Sequence, residues 1–305
     1  ESSLHQIIGK KERDYIADFE TLLESLESEK SVKAISDYIN FEADIYRNQG
    51  KITYFAEEFL LDIFTDTTER SPTFMLPPFR RNDDKKSPQP WAFVKNPLLR
   101  TEEAWQQAMQ RPLRCLDWQK TDYEQLGAGE KISSAPPALS SADLLQFSIG
   151  KENLQERYDS GKDAAVLVAM KRNSALENEY SKISQSFSKN ARIAINLDLP
   201  DSFNIPAVVH DGALELMSHL ALKLVLNTIS TSVMTILGRV TGNWMSWVDC
   251  TNKKLLDRGA RLLVEIANID YRSACEHIFA ALDEIKEFSG EKPSAVQIAL
   301  KKLQK

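Results

Sequence analysis

Side chains able to do chemistry are thinly spread along this chain. Cys115, Cys250 and Cys275 are far apart, and the four histidines form no CxxC, HxxxH or HExxH spacing with them or with each other. A disulfide scaffold and structural zinc are therefore nearly excluded, and no metal or cofactor is expected. His210 and His219 stand nine residues apart, a spacing that does not bring them together within one helical turn. Lys223 is more notable, because it sits among Leu220, Leu222, Leu224 and Leu226. An ammonium on an apolar stretch either meets a ligand or snorkels its stem to the rim. The mixed run Arg80-Arg-Asn-Asp-Asp-Lys-Lys86 reads as a solvated loop rather than an anion site. Trp244 and Trp247 read as packing or interface residues.

The elements that must hold these residues are legible from periodicity. Residues 11 to 28 and 31 to 48 place apolar side chains at helical spacing, so two amphipathic helices are predicted first. Lys51 to Ala56 reads as a short buried strand, followed by a helix from about Glu57 to Arg70 that should end before Pro72. Most of the twelve prolines fall between Pro72 and Pro137, which limits that interval to short pieces. Within it, Trp91 to Val94 suits a strand, Thr101 suits the cap of a helix through Gln110, and Gly127 to Ser141 suits an exposed loop. Asp163 to Met170 and Ala191 to Leu197 are unalternated apolar runs flanking a helix over Ser174 to Lys189, the pattern of a parallel crossover. Ile205 to Val209 reads as a last strand. Helices are then expected over about 211–237, 251–267, 271–288 and 294–304, with Gly238, Gly242 and Gly290 as punctuation.

The chain has 305 residues, of which 42% are apolar, and a formal charge of −6. A sizeable core is possible, and neither nucleic acid nor an anionic membrane is an expected partner. The stretch Leu220 to Leu237 carries Lys223, Asn227 and several hydroxyls, so a soluble, cytoplasmic protein is expected. Eleven glycines are few, and none falls between Gly50 and Gly127. Any phosphate-cradling turn in that interval must work without one.

The most specific stretch is Lys223-Leu-Val-Leu-Asn-Thr-Ile-Ser-Thr-Ser-Val-Met234, continued by Leu237-Gly-Arg-Val-Thr-Gly-Asn-Trp-Met245 and Val248-Asp-Cys-Thr-Asn-Lys-Lys-Leu255. It resembles the carboxy-terminal motif of N-acetylmuramic acid 6-phosphate etherases and of the glucokinase regulatory protein, both built from sugar isomerase (SIS) domains. Asn227, Ser230, Thr231, Gly238, Asn243, Met245, Asn252, Lys253, Leu255 and Arg258 match in register. The resemblance extends more weakly over Gly50 to Ala56 and Thr65 to Phe74, and the element order is similar to the second SIS domain of the regulatory protein. It implies an α/β fold, a three-layer α/β/α SIS-type domain with a five-stranded parallel sheet plus N-terminal and C-terminal helices. The segments expected are 1–50 helical, 51–209 SIS-like with a Pro-rich insertion at about 72–145, and 210–305 helical with the motif.

The etherases follow their first strand with a Gly-Ser-Thr-rich turn, whose backbone N–H groups and hydroxyls wrap a phosphate. Here that turn reads Ala56-Glu57-Glu58-Phe59, where two carboxylates repel a dianion and larger side chains obstruct it. The later Ser-Gly turn is replaced by Lys171-Arg172-Asn173-Ser174, and the family's Ser-Ser-Arg segment is missing from Asp211 to Met217. Glu69 matches the etherase glutamate that acts as acid or base, chemistry that needs a positioned carboxylate. A second family glutamate has no located counterpart, and a plain helix-terminal carboxylate beside Arg70 is the simpler reading of Glu69. Lys223 matches a basic residue that approaches the sugar phosphate. Asn243, Asn252 and Lys253 are read as turn and helix-start residues.

The leading expectation is a SIS-domain sugar-phosphate-binding or regulatory protein with a degenerate phosphate site, acting as a homodimer or with another SIS domain or partner. The competing expectation is an active etherase or phosphosugar isomerase whose site is rebuilt from Glu69, Lys171, Arg172, Asn173, Ser174 and Lys223. A third makes this chain the second half of a two-domain protein, which a start at Glu1 rather than Met permits.

Overall fold

The computed structural model describes residues 14–114, 118–137, 140–158, 160–288 and 292–304. Cys115, Gly290 and the first turn expected at 11–13 lie outside them. The chain divides into two compact units. One holds Gly50–Phe64 and Phe79–Asn204, and the other holds the described residues up to Gln49, Thr65–Pro78 and those from Ile205 onward. The units cut the chain differently from the three segments read in the sequence, because the helices at its two ends pack together.

The first unit is built on a sheet. Strands β1 (Ile52–Phe55), β2 (Ala92–Lys95), β3 (Ala164–Ala169), β4 (Lys189–Ile195) and β5 (Phe203–Ile205) lie in the order β2-β1-β3-β4-β5. The pairs β1–β2, β1–β3 and β3–β4 are parallel, with Ile52 opposite both Ala92 and Ala164. Every residue of β1, β2 and β3 is buried, the reason these runs do not alternate. Chain order reverses at β1, which makes the carboxyl ends of β1 and β3 a topological switch point. The last strand falls at Phe203–Ile205 rather than Ile205 to Val209.

Two buried cations brace this unit. Arg157 donates to the Thr53 hydroxyl and to the carbonyls of Ile52 and Pro90, each at 3.0 Å. At the end of β2, the Lys95 ammonium donates to the carbonyls of Ser148 (2.5 Å), Gly150 (3.0 Å) and Glu152 (2.6 Å). The charged run near residue 80 is more engaged than a solvated loop. Arg80 and Lys85 both bind Glu156, and Arg81 bridges Asp83 and Asp143.

The second unit is helical. Helices α1 (Tyr15–Leu26) and α2 (Glu29–Arg47) open on Asp14 and Ser28, whose side chains accept from Ala17 and Ser31 N–H groups. Helix α3 (Leu60–Phe74) contains the division between the units. It runs past Pro72, because a proline in the last turn removes only one late hydrogen bond. Met75, at φ 53°, ends it, and the Leu76 N–H reaches back to the Ser71 carbonyl at 3.1 Å. In the sheet unit, short helices follow: α4 (Thr101–Met109), α5 (Lys120–Gln125), α6 (Glu130–Ser133), α7 (Ser141–Leu145) and α8 (Ser174–Ile183). Arg100 occupies the cap position expected of Thr101, and α8 stops well short of Lys189, where β4 already begins.

Helix α9 (Leu216–Ile236) packs on α2. By length and composition it could cross a membrane, yet Leu222, Val225, Leu226 and Ile229 are buried within the unit. Helices α10 (Lys253–Ala267), α11 (Tyr271–Ile285) and α12 (Ala295–Leu303) share a core around Leu262, Leu263, Ile278 and Val296. Asn252 caps α10 by accepting from the Leu255 N–H at 3.0 Å, the role read for it in the sequence.

Candidate functional site

At the switch point, strand β1 turns into α3 through Ala56, Glu57, Glu58 and Phe59. Phe59 has φ 52°, the left-handed conformation that glycine adopts at least cost. The amides of Asp62 and Ile63 both donate to the Phe59 carbonyl, at 3.0 and 3.3 Å. Strand β3 ends at the basic turn. There Asn173 caps α8 by accepting from the Leu176 N–H at 3.1 Å, while its amide donates to Glu57 Oε2 at 2.5 Å. Lys171 Nζ pairs with Glu58 Oε1 at 3.4 Å and lies 5.8 Å from the centre of the Phe59 ring. Arg172 turns aside and donates to the Asp198 carbonyl at 2.7 Å. Ser174 is the exposed first residue of α8. Of the four residues read as anion donors, Lys171 and Asn173 therefore spend hydrogen bonds on the carboxylates of the neighbouring turn. A phosphate dianion entering there would have to displace Glu57 and Glu58 as acceptors.

The helical unit assembles a second constellation. Arg70, 3% exposed, donates from Nε and Nη2 to Asp66 Oδ2 at 3.1 and 2.8 Å, and from Nη1 to Glu42 Oε1 at 2.6 Å and the Tyr46 hydroxyl at 3.2 Å. Ser230 on α9 donates to Asp66 Oδ1 at 3.2 Å. This buried lattice fixes the last turns of α3 against α2 and α9. It also sets the position of the next residue along, Glu69, whose Oε2 accepts from Lys223 Nζ at 2.8 Å. Glu69 and Lys223, each singled out through the resemblance, thus meet in one ion pair.

Beside that pair lies a cavity of about 310 Å3 lined by Glu69, Asn227, Ser230, Thr231, Met245 and Arg258, among others. Five of these six belong to the carboxy-terminal motif. The sequence reading matched them without giving them a task. The spacing Asn227, Ser230, Thr231 was the available signal, since i, i+3 and i+4 place three polar groups on one face of an apolar helix. A second cavity of about 610 Å3 shares Met245 and Arg258 and adds Asn243, Trp244, Lys254 and Arg261. Chemically, the first cavity offers a carboxylate acceptor, an amide and hydroxyls, with a guanidinium at the junction of the two.

No protein-family model matches the chain. It is 36% identical over 159 residues to the N-acetylmuramic acid 6-phosphate etherase of Clostridium acetobutylicum, covering 50% of this chain and 52% of that protein. The etherase of Bacteroides thetaiotaomicron is 38% identical over 133 residues, 43% of this chain and 47% of the relative. That of Bacillus cereus is 38% identical over 106 residues, 35% and 36%. The chain spans about half the length of the curated relatives it matches. A solved structure described as a sugar-phosphate isomerase of Listeria monocytogenes superposes with a TM-score of 0.38 at 11% identity, covering 72% of this chain and 85% of that one, a likeness too loose to argue from. The etherase relatives bear out the resemblance read from the motif, and the five-stranded sheet bears out the α/β fold. Nothing among these relatives concerns the glucokinase regulatory protein.

Proposed function

We propose that this chain, akin to the etherases over about half its length, is a SIS-type sugar-phosphate-binding or regulatory protein whose strand-end phosphate site is degenerate. In this reading it is cytoplasmic, uses no metal or cofactor, and acts as a homodimer or against another SIS domain. The observation that supports it is the mutual satisfaction of the two switch-point turns. Glu57 and Glu58 hold Asn173 and Lys171 where a phosphosugar protein needs uncommitted donors. Thermal-shift titration with fructose 6-phosphate, glucosamine 6-phosphate and N-acetylmuramic acid 6-phosphate tests it. Saturation at 100 times Kd should stabilise the fold by about 2.7 kcal/mol, with no turnover of any of the three. Turnover overturns the degenerate reading.

A second reading, an active etherase or phosphosugar isomerase, draws on the Glu69–Lys223 pair beside a polar cavity. Consumption of N-acetylmuramic acid 6-phosphate that Glu69→Gln abolishes would establish it.

A further inference from the structure

Two cavities of the helical unit share Met245 and Arg258 in their walls, and the rest of their polar lining differs. On one side stand groups suited to sugar hydroxyls: the Glu69 carboxylate, the Asn227 amide and the Thr231 hydroxyl. On the other stand the cations Lys254, Arg258 and Arg261, with the carboxylates Asp257 and Glu265 beside them. Arg261 is engaged by Asp257 at 2.9 Å and lies over the Tyr271 ring. Arg258 has, among the described residues, one hydrogen bond, to the Met245 thioether at 3.6 Å, and a thioether is a weak acceptor. Lys254 has no ion pair among them. A guanidinium fork left with most of its donors at the junction of a hydroxyl-binding pocket and a wider one is arranged to receive an anionic oxygen group. The first cavity lies at the low end of the range of roughly 300–1,000 Å3 for small-molecule sites, enough for one sugar ring. The second leaves room for its substituents.

We propose that these joined cavities seat an anionic monosaccharide, its ring hydroxyls against Glu69, Asn227 and Thr231 and its anionic group against Arg258, with Lys254 as the second cation. This rests on the reading of the chain as a sugar-phosphate protein and moves the ligand from the strand-end turns to the helical unit. The anionic group is a phosphate ester or a carboxylate, each able to accept two hydrogen bonds from the planar arginine fork.

Calorimetric titration of the whole chain with glucosamine 6-phosphate, glucuronate and uncharged glucose tests it. Wild type should bind an anionic sugar at least tenfold more tightly than glucose. Arg258→Ala should weaken that binding at least tenfold, Arg258→Lys and Lys254→Ala less, and Lys171→Ala at the strand end less than twofold, with circular dichroism confirming folded variants. Loss of binding in Lys171→Ala with retention in both Arg258 variants overturns this site and leaves the sugar-phosphate reading standing. Binding of glucuronate but not of the phosphate, sensitive to Arg258, supports the site and overturns that reading. No binding of either charged sugar by wild type overturns both.

Discussion

Lys95 and Arg70 are both buried cations, and they differ in how charge is balanced around them. The Lys95 ammonium has neutral oxygen partners, three carbonyls and, at 3.4 Å, the Ser148 hydroxyl, and burial, helped by the nearby Arg157 guanidinium, pushes its pKa down to about 7 against the opposing pull of Glu152 and Glu156. Between about pH 7 and the ordinary lysine value of 10.5, the unfolded chain therefore binds more protons than the folded one. Stability contributed at this position rises with pH across that window. Comparing wild type with Lys95→Met by thermal melts at pH 7 and pH 10 should show wild type gaining relative to the variant, and a constant difference would contradict the assignment. Arg70 instead faces Glu42 and Asp66, which are 0% and 2% exposed. Arg70→Ala leaves both buried carboxylates without their guanidinium and should destabilise the fold by about 3–5 kcal/mol in a denaturant titration. Neither setting was legible in the sequence, where Arg70 was only the neighbour of Glu69. Asp66 stands four residues before Arg70, but the other partners of these two cations lie 24 to 57 residues away. The Glu69–Lys223 pair spans 154 residues, so spacing could nominate each residue but not join them.

At the scale of elements, strands were the most legible part. Val166, Leu167 and Val168 lie in a run with no alternation, and β3 occupies the centre of the sheet. Pro72 misled, since the rule that proline stops a helix is weakest in a final turn. The turn after β1 was read correctly as lacking glycine, but its backbone was not legible: Phe59 holds the positive φ that a glycine would otherwise supply. The turn thus keeps one backbone feature of a glycine-containing turn under larger side chains. Replacing them together, Glu57→Ser, Glu58→Ser and Phe59→Gly, should add inorganic phosphate binding by calorimetry, absent from Arg258→Ala alone and kept when Arg258→Ala is combined with the three. Gly150 marks the opposite constraint. A Cβ there would fall 2.2 Å from the Thr101 nitrogen and 2.5 Å from the Arg100 carbonyl carbon, both main-chain atoms that cannot swing away. Gly150→Ala should lower the melting temperature, at a cost of at least about 1–3 kcal/mol.

For the whole molecule, the proposed association of SIS domains leads to one expectation. Light scattering on the purified chain should report a mass above 34.6 kDa, and a strictly monomeric particle at high concentration would count against a homodimer. The boundaries expected at 50 and 209 follow the order of helices and strands along the chain. Compactness follows packing instead, and so residues 65–78 group with the terminal helices. The ammonium at the end of β2 also gives the molecule an internal timer. With 2% of its surface exposed and its proton held by three carbonyls, Lys95 is closed to acylating reagents while residues 148–152 stay seated. Once reached, an amine of such depressed basicity is a ready nucleophile. Its acetylation, followed by peptide mass spectrometry, would record how often that edge of the sheet opens, long after the surface lysines have reacted to completion.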